Sequence, residues 1–383
     1  MLKMGVVLKS PIDRRIFQCY AAFQQMLKEG YSMKEPETER GLQEAFLACL
    51  REVPFVRDVR VRTGWLGGPD LEADVRFRDD VRRFLVEFKS SGQPRMIREA
   101  VNQLLRYRAD ASDAHLVIAA PYISPESAEL CRREGVGYVD LAGNCLLCFD
   151  QVYIRREGNP NPFAAKRDLR SLYSPKASRV IRVLLTDPFR VWKMEELAEA
   201  SGVSLGQAHN VKKLLADREW IEGGQRGFSL RFPERLLDEW SENYDYRRNR
   251  AVEFYTMRSV SEIEYDVVAA CQEANRRCAL TGFSAAARLA PFVRYQRAAI
   301  YVDGAIEQIA SKTGLKRVSS GGNLNLITPY DEGVFYGATE LNGITIVSAI
   351  QAYLDVKSVP SRGEEAADFL RREVILPKWH RAA

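Results

Sequence analysis

The sequence predicts an α/β protein of several domains, and three observations lead to that expectation. Its 383 residues exceed what one ordinary core holds, since domains usually run to ~100–200 residues. Before Asp150, helical patterns surround a run, Leu71 to Phe77, that alternates strictly as a half-buried strand does. Short helices and a glycine-rich hairpin follow, and after Arg250 helices mix with strand-like runs.

Composition and the polar stretch Arg155 to Pro162 set the expected divisions. They are a helical extension over 1–36, an α/β domain over 37–155, a basic linker over 156–173, a helical domain with a hairpin over 174–249 and a mixed α/β domain over 250–383. Hydrophobic residues make up 46% and charged residues 28%, which leaves little room for a long disordered segment. The first apolar run is four residues long, too short for a secretory signal or a membrane span, so a cytosolic chain without a membrane partner is expected. Seven scattered cysteines, an odd number, point to reduced thiols.

In the first domain Leu71, Ala73, Val75 and Phe77 face one side of their strand, and Glu72, Asp74 and Arg76 the other. A turn at Arg78 to Asp80 leads into Phe84 to Lys89, where Glu87 and Lys89 share a face. Two adjacent strands are expected to bring Asp74, Glu87 and Lys89 together. Carboxylates at short range repel unless they share a cation, and oxygen ligands suit Mg²⁺ or Mn²⁺, held here by Asp74 and Glu87. A neighbouring lysine orients or deprotonates an attacking water, as in metal-assisted phosphodiester hydrolysis.

This pattern resembles the PD-(D/E)xK nuclease superfamily, with its restriction-endonuclease-like fold. Asp74 fits the first carboxylate, and Glu87, Phe88 and Lys89 fit the second half thirteen residues on. Pro69 and Asp70 spell the literal dipeptide, but Asp70 precedes the alternating run, so Asp74 is assigned. The resemblance covers about Glu37 to Asp150 in the order helix, strands, helix, strand. It implies an extra carboxylate, Glu44, from the helix Glu39–Val53, and a helical glutamine, Gln103, in the run ending at Tyr107.

Between Arg155 and Arg190 stand nine Lys/Arg against three Asp/Glu, a stripe able to attract phosphates. Beyond it, Val180, Ile181, Leu184 and Leu185 mark one buried helix face, and Met194 to Ala200 a second, short helix. Ser201 and Gly202 supply a turn, and Ser204 can cap the next helix. From Leu205 to about Arg218, Ala208, Val211 and Leu215 fall on one face, leaving Gly206, His209, Asn210 and Lys213 on the other. That face can enter a major groove, with Asn210 suited to an adenine edge. Arg226, at the tip of the Gly223 to Arg226 turn, would touch the backbone or minor groove. These features together describe a winged helix-turn-helix, so DNA is the expected partner, bound by a homodimer on a palindromic site.

Beyond Arg250 the residues show no chemistry of their own. Leu280 to Leu289, Ala299 to Val302, Gly343 to Asp355 and Arg362 to Ala367 resemble the AbiEi family of type IV antitoxins over about Ser174 to Trp379. That resemblance implies a repressor of its own operon, beside a nucleotidyltransferase toxin, and contains no nuclease-like domain.

Cys145 and Cys148 have CxxC spacing but sit in an apolar run and read as core, and Cys131 adds too few ligands for zinc. His115, His209 and His380 show no metal or triad spacing. Two functions stay open: a Mg²⁺- or Mn²⁺-dependent deoxyribonuclease targeted by its own winged helix, and a non-catalytic repressor or antitoxin.

Overall fold

The computed structural model describes residues 35–63, 67–77, 80–163, 172–224, 226–291, 295–360 and 362–381. The extension expected over 1–36 lies outside the described residues up to position 34, as do Cys19 and positions 164–171 of the expected linker. The chain divides into two compact units, residues 1–166 and 167–383. Both are mixed α/β.

In the first unit, α1 (Glu35–Arg51) precedes β1 (Val56–Thr63), β2 (Leu71–Phe77) and β3 (Asp80–Phe88). Then come α2 (Pro94–Asp110), β4 (His115–Ala120), α3 (Pro125–Arg133), β5 (Gly137–Asp140), β6 (Cys145–Phe149) and β7 (Val152–Arg156). The seven strands lie in one sheet in sequence order. β1 to β3 form an antiparallel meander, while β3, β4 and β5 run parallel, joined through α2 and α3.

Alternation along the strands sends side chains into two layers. Leu71, Ala73 and Val75 of β2, Phe84 and Val86 of β3, and Val117 of β4 pack with Leu42, Phe46 and Leu50 of α1. Leu85, Leu116 and Ile118 point the other way and pack with Ile97, Val101 and Leu104 of α2. Because both faces are covered, β4 is apolar from Leu116 to Ala120, and β3 is apolar from Phe84 to Val86. A charge on the α2 side is therefore conspicuous, and Glu87 is one.

The second unit opens with α4 (Pro175–Thr186), α5 (Met194–Ser201), α6 (Leu205–Asp217) and a hairpin, β8 (Ile221–Gly224) with β9 (Gly227–Leu230). α7 (Pro233–Asn243) leads to β10 (Arg250–Tyr255), α8 (Val260–Glu273), β11 (Cys278–Leu280), α9 (Gly282–Leu289), β12 (Ala298–Val302) and α10 (Ile306–Lys312). The chain continues through β13 (Lys316–Arg317), β14 (Leu324–Thr328), β15 (Thr339–Leu341), β16 (Ile344–Ile346), α11 (Ala349–Lys357), α12 (Arg362–Leu370) and α13 (Leu376–Arg381). Its sheet runs β13-β10-β14-β12-β11-β16-β15.

One apolar core extends from Leu172 to Trp379, so the three helices and hairpin share it with the β10–β16 sheet. Inside it sits a polar network. Asp355 of α11 is 1% exposed and accepts from Tyr244 Oη (2.6 Å), Gln351 Nε2 (2.9 Å), Tyr301 Oη (3.2 Å) and Thr281 Oγ1. Burial pushes its carboxyl up, and the four donors pull it back. Gln351 Oε1 in turn accepts from Arg182 Nη2 of α4 at 2.7 Å, and the Arg182 guanidinium lies 5.1 Å from the Trp240 ring. The network thus ties α4 to α11 through groups that have no water to fall back on.

Candidate functional site

Two surfaces carry the side chains singled out from the sequence. In the first unit, Phe77 pairs with Asp80, which sets Asp74 opposite Arg83 and Leu71 opposite Val86. One step further along the same ladder, the residue facing Glu87 is Asp70. Its carboxylate accepts the Phe88 amide N–H at 2.7 Å, continuing the ladder by a side chain. The expected meeting of Asp74 with Glu87 does not occur, because that tight register places Asp74 four residues from the Glu87 rung. Asp74 lies instead with Arg62 at 2.9 Å and Arg83 at 3.6 Å.

Glu87 is 3% exposed, and its Oε1 accepts from Lys89 Nζ at 2.8 Å while its Oε2 has no partner among the described residues. Burial raises the carboxyl, Lys89 lowers it, and Asp70 adds to the rise. Lys89 Nζ also donates to Gln103 Oε1 at 3.2 Å, and Gln103 Nε2 donates to Tyr107 Oη at 2.7 Å. Gln103 is therefore where the sequence places it, on the helix over the site. Glu44 is not: α1 covers the opposite face of the sheet, and Glu44 pairs with Arg40 at 3.3 Å.

Among the described residues no three His, Cys, Asp or Glu gather as metal ligands. Cys145 is buried and Cys148 exposed, so only the first of that pair belongs to the core.

In the second unit, Gly202 ends α5 in the left-handed conformation (φ 60°), and Ser204 caps α6 by accepting the Gln207 amide at 3.3 Å. Ala208, Val211 and Leu215 are buried, and Gly206, His209, Asn210 and Lys213 are exposed. A methyl group at Gly206 would meet nothing within 4 Å, so packing does not require the glycine there. Leu205 begins the same helix and is 43% exposed, an apolar surface the periodicity had no reason to mark.

The hairpin gains a third member, because Trp192 N donates to Phe228 O at 2.8 Å and Phe228 N to Trp192 O at 3.1 Å. Gly227 (φ 137°) sits against it, where a Cβ would come within 2.7 Å of the Trp192 carbonyl oxygen. Arg226 is exposed beside this hairpin, and Gln225 lies outside the described residues.

Among the described residues, four cations of the basic stripe are engaged within the protein. Arg182 is 1% exposed, Arg179 pairs with Asp331 at 2.8 Å and Glu332 at 3.0 Å, and Arg155 pairs with Glu157 at 2.7 Å. Arg156 is held by Glu52. Lys166, Arg167 and Arg170 lie outside the described residues. Counting charge along the sequence cannot see carboxylates that arrive from distant segments.

Among the described residues no helix is long and apolar enough to cross a membrane. No curated protein and no solved structure matches the chain. Residues 230–376 match the family model described as transcriptional regulator, AbiEi antitoxin, of the type IV toxin–antitoxin systems, a match that begins at Leu230, the last residue of β9, and so leaves out α6 and nearly all of the hairpin.

Proposed function

We propose that the chain is a DNA-binding transcriptional regulator of the AbiEi antitoxin kind, reading duplex DNA with α6 and the β8–β9 hairpin as a winged helix-turn-helix. The observation that carries this reading is the polar outer face of α6, Gly206, His209, Asn210 and Lys213, next to the segment matched by an antitoxin and regulator family. In a major groove Asn210 offers paired donor and acceptor to adenine, Lys213 meets phosphate, and Leu205 suits a thymine methyl. Arg226 reaches the backbone or minor groove. A nucleotidyltransferase toxin as partner and a two-fold dimer on the DNA belong to the same proposal.

Duplex affinity measured against salt tests it. Lys213→Ala and Arg226→Ala each weaken binding, and each lowers the slope of log K against log salt by roughly 0.9, the change expected when one phosphate is no longer neutralised. Unchanged affinity and slope in both variants would place the DNA elsewhere.

A second reading concerns the first unit, and the unpartnered Glu87 Oε2 favours it. There a restriction-endonuclease-like domain hydrolyses phosphodiesters, with Asp70 and Glu87 holding Mg²⁺ or Mn²⁺. Bound there, the ion would polarise the phosphoryl group and make water a better nucleophile. Glu87 and Gln103 hold the Lys89 ammonium, which orients that water. Asp70 takes the place assigned to Asp74 from the sequence.

A further inference from the structure

A cavity of about 390 Å³ opens in the second unit where the end of α4, the segment leading to Trp192, and α13 converge. Its volume falls within the range of small-molecule sites. Trp192, Tyr336 and Trp379 supply aromatic walls, and Arg190 and Lys378 supply positive charge. Asp187, also in the lining, offers an acceptor.

The two tryptophans differ in one respect. Trp379 Nε1 donates to the Leu185 carbonyl at 3.0 Å, whereas Trp192 is 3% exposed and its Nε1 has no acceptor among the described residues. A buried donor left unsatisfied is costly, and a ligand acceptor would relieve it. The Arg190 guanidinium stacks 3.9 Å from the Trp192 ring centroid, and its carboxylate neighbour, Glu196, is a loose exposed pair at 3.7 Å. Lys378 is exposed and has no ion-pair partner among the described residues.

We propose that this cavity binds a nucleotide. The planar base lies against Tyr336, the one half-buried ring of the three, the Trp192 N–H meets one of its acceptors, and the phosphates lie toward Arg190 and Lys378. Aromatic faces with arginine and lysine beside them suit a flat, anionic ligand better than a purely apolar one. Asp187 then faces the sugar hydroxyls.

Trp192 is hydrogen-bonded into the hairpin, while Tyr336 belongs to the family-matched segment and Trp379 to α13. A bound nucleotide therefore touches both the hairpin and the β10–β16 portion. Under the DNA-binding reading, the occupancy would shift DNA affinity, and DNA would shift nucleotide affinity by the same factor.

The test is calorimetric titration of the full chain, without DNA, with the four common ribonucleoside diphosphates and with inorganic phosphate. Leaving DNA out keeps this test separate from the fate of the regulator reading. At least one diphosphate binds saturably and more tightly than inorganic phosphate. Lys378→Ala, an exposed substitution, weakens it roughly tenfold, as expected for removal of one charged hydrogen bond, with the melting temperature unchanged. Trp192→Phe keeps the ring, removes the N–H and weakens binding more modestly. Absence of saturable heat with every diphosphate overturns the proposal. So does binding that neither variant alters, or inorganic phosphate binding as tightly as the nucleotides.

Discussion

If Asp70 and Glu87 share a divalent cation, as the endonuclease-like reading proposes, Asp70→Ala abolishes the rise in melting temperature that Mn²⁺ gives the parent chain, whereas Asp74→Ala leaves that rise intact. The contrast follows from register. Asp70 stands on the Glu87 rung and accepts the Phe88 amide, while Asp74 stands opposite Arg83 and is held by Arg62 at 2.9 Å. A cation that binds only the folded state stabilises it by about 2.7 kcal/mol at a hundredfold excess over Kd. That gain requires both carboxylates. Any metal-dependent cleavage of DNA should follow the same division between the two variants.

The effect also has a pH sign. Burial raises the Glu87 carboxyl, so protons compete with the metal at a higher pH than at an ordinary carboxylate. The Mn²⁺-induced shift should therefore shrink early on acidification. Differential scanning calorimetry with and without Mn²⁺ checks both points. A metal-dependent shift lost in Asp74→Ala but kept in Asp70→Ala would contradict the assignment.

Asp355→Ala destabilises the second unit by about 3 kcal/mol or more, the size expected when a buried ionic acceptor is removed and its partners stay behind. Tyr244, Thr281, Tyr301 and Gln351 all donate to this one carboxylate, and the last three are fully buried. For a unit of this size the loss corresponds to roughly 6–12 °C in melting temperature. Asp355→Asn keeps an acceptor oxygen and should lose less. Thermal unfolding of both variants measures the difference, and a loss in the alanine variant below about 1 kcal/mol would mean the network is not what holds α11 in place.

Much of the local structure was legible because periodicity reports burial directly. The alternation in Leu71 to Phe77 sorted its side chains correctly, and the spacing of Ala208, Val211 and Leu215 identified the buried face of α6. Register was not legible. Which aspartate meets Glu87 depends on how tightly the chain turns between β2 and β3, and a shift of four residues preserves every inside and outside position. Asp70 shares its face with Asp74, so alternation alone cannot choose between them.

Long-range partners were equally hidden. Nothing around Arg182 announces that Gln351 and Trp240 will enclose it, so a buried structural arginine reads as part of a phosphate-attracting stripe. In the same way Asp355 closes an ordinary helical run, and only Tyr244, Thr281 and Tyr301 from elsewhere reveal its role. Trp192 was invisible as a third member of the hairpin, because one residue pair carries no periodic pattern.

Whether α6 and the hairpin bind duplex DNA is read by footprinting of the full chain on the DNA upstream of its own reading frame, alongside a chain carrying both Lys213→Ala and Arg226→Ala. The parent is expected to protect a discrete segment and the double variant none at the same protein concentration. Equal protection by both chains would contradict it.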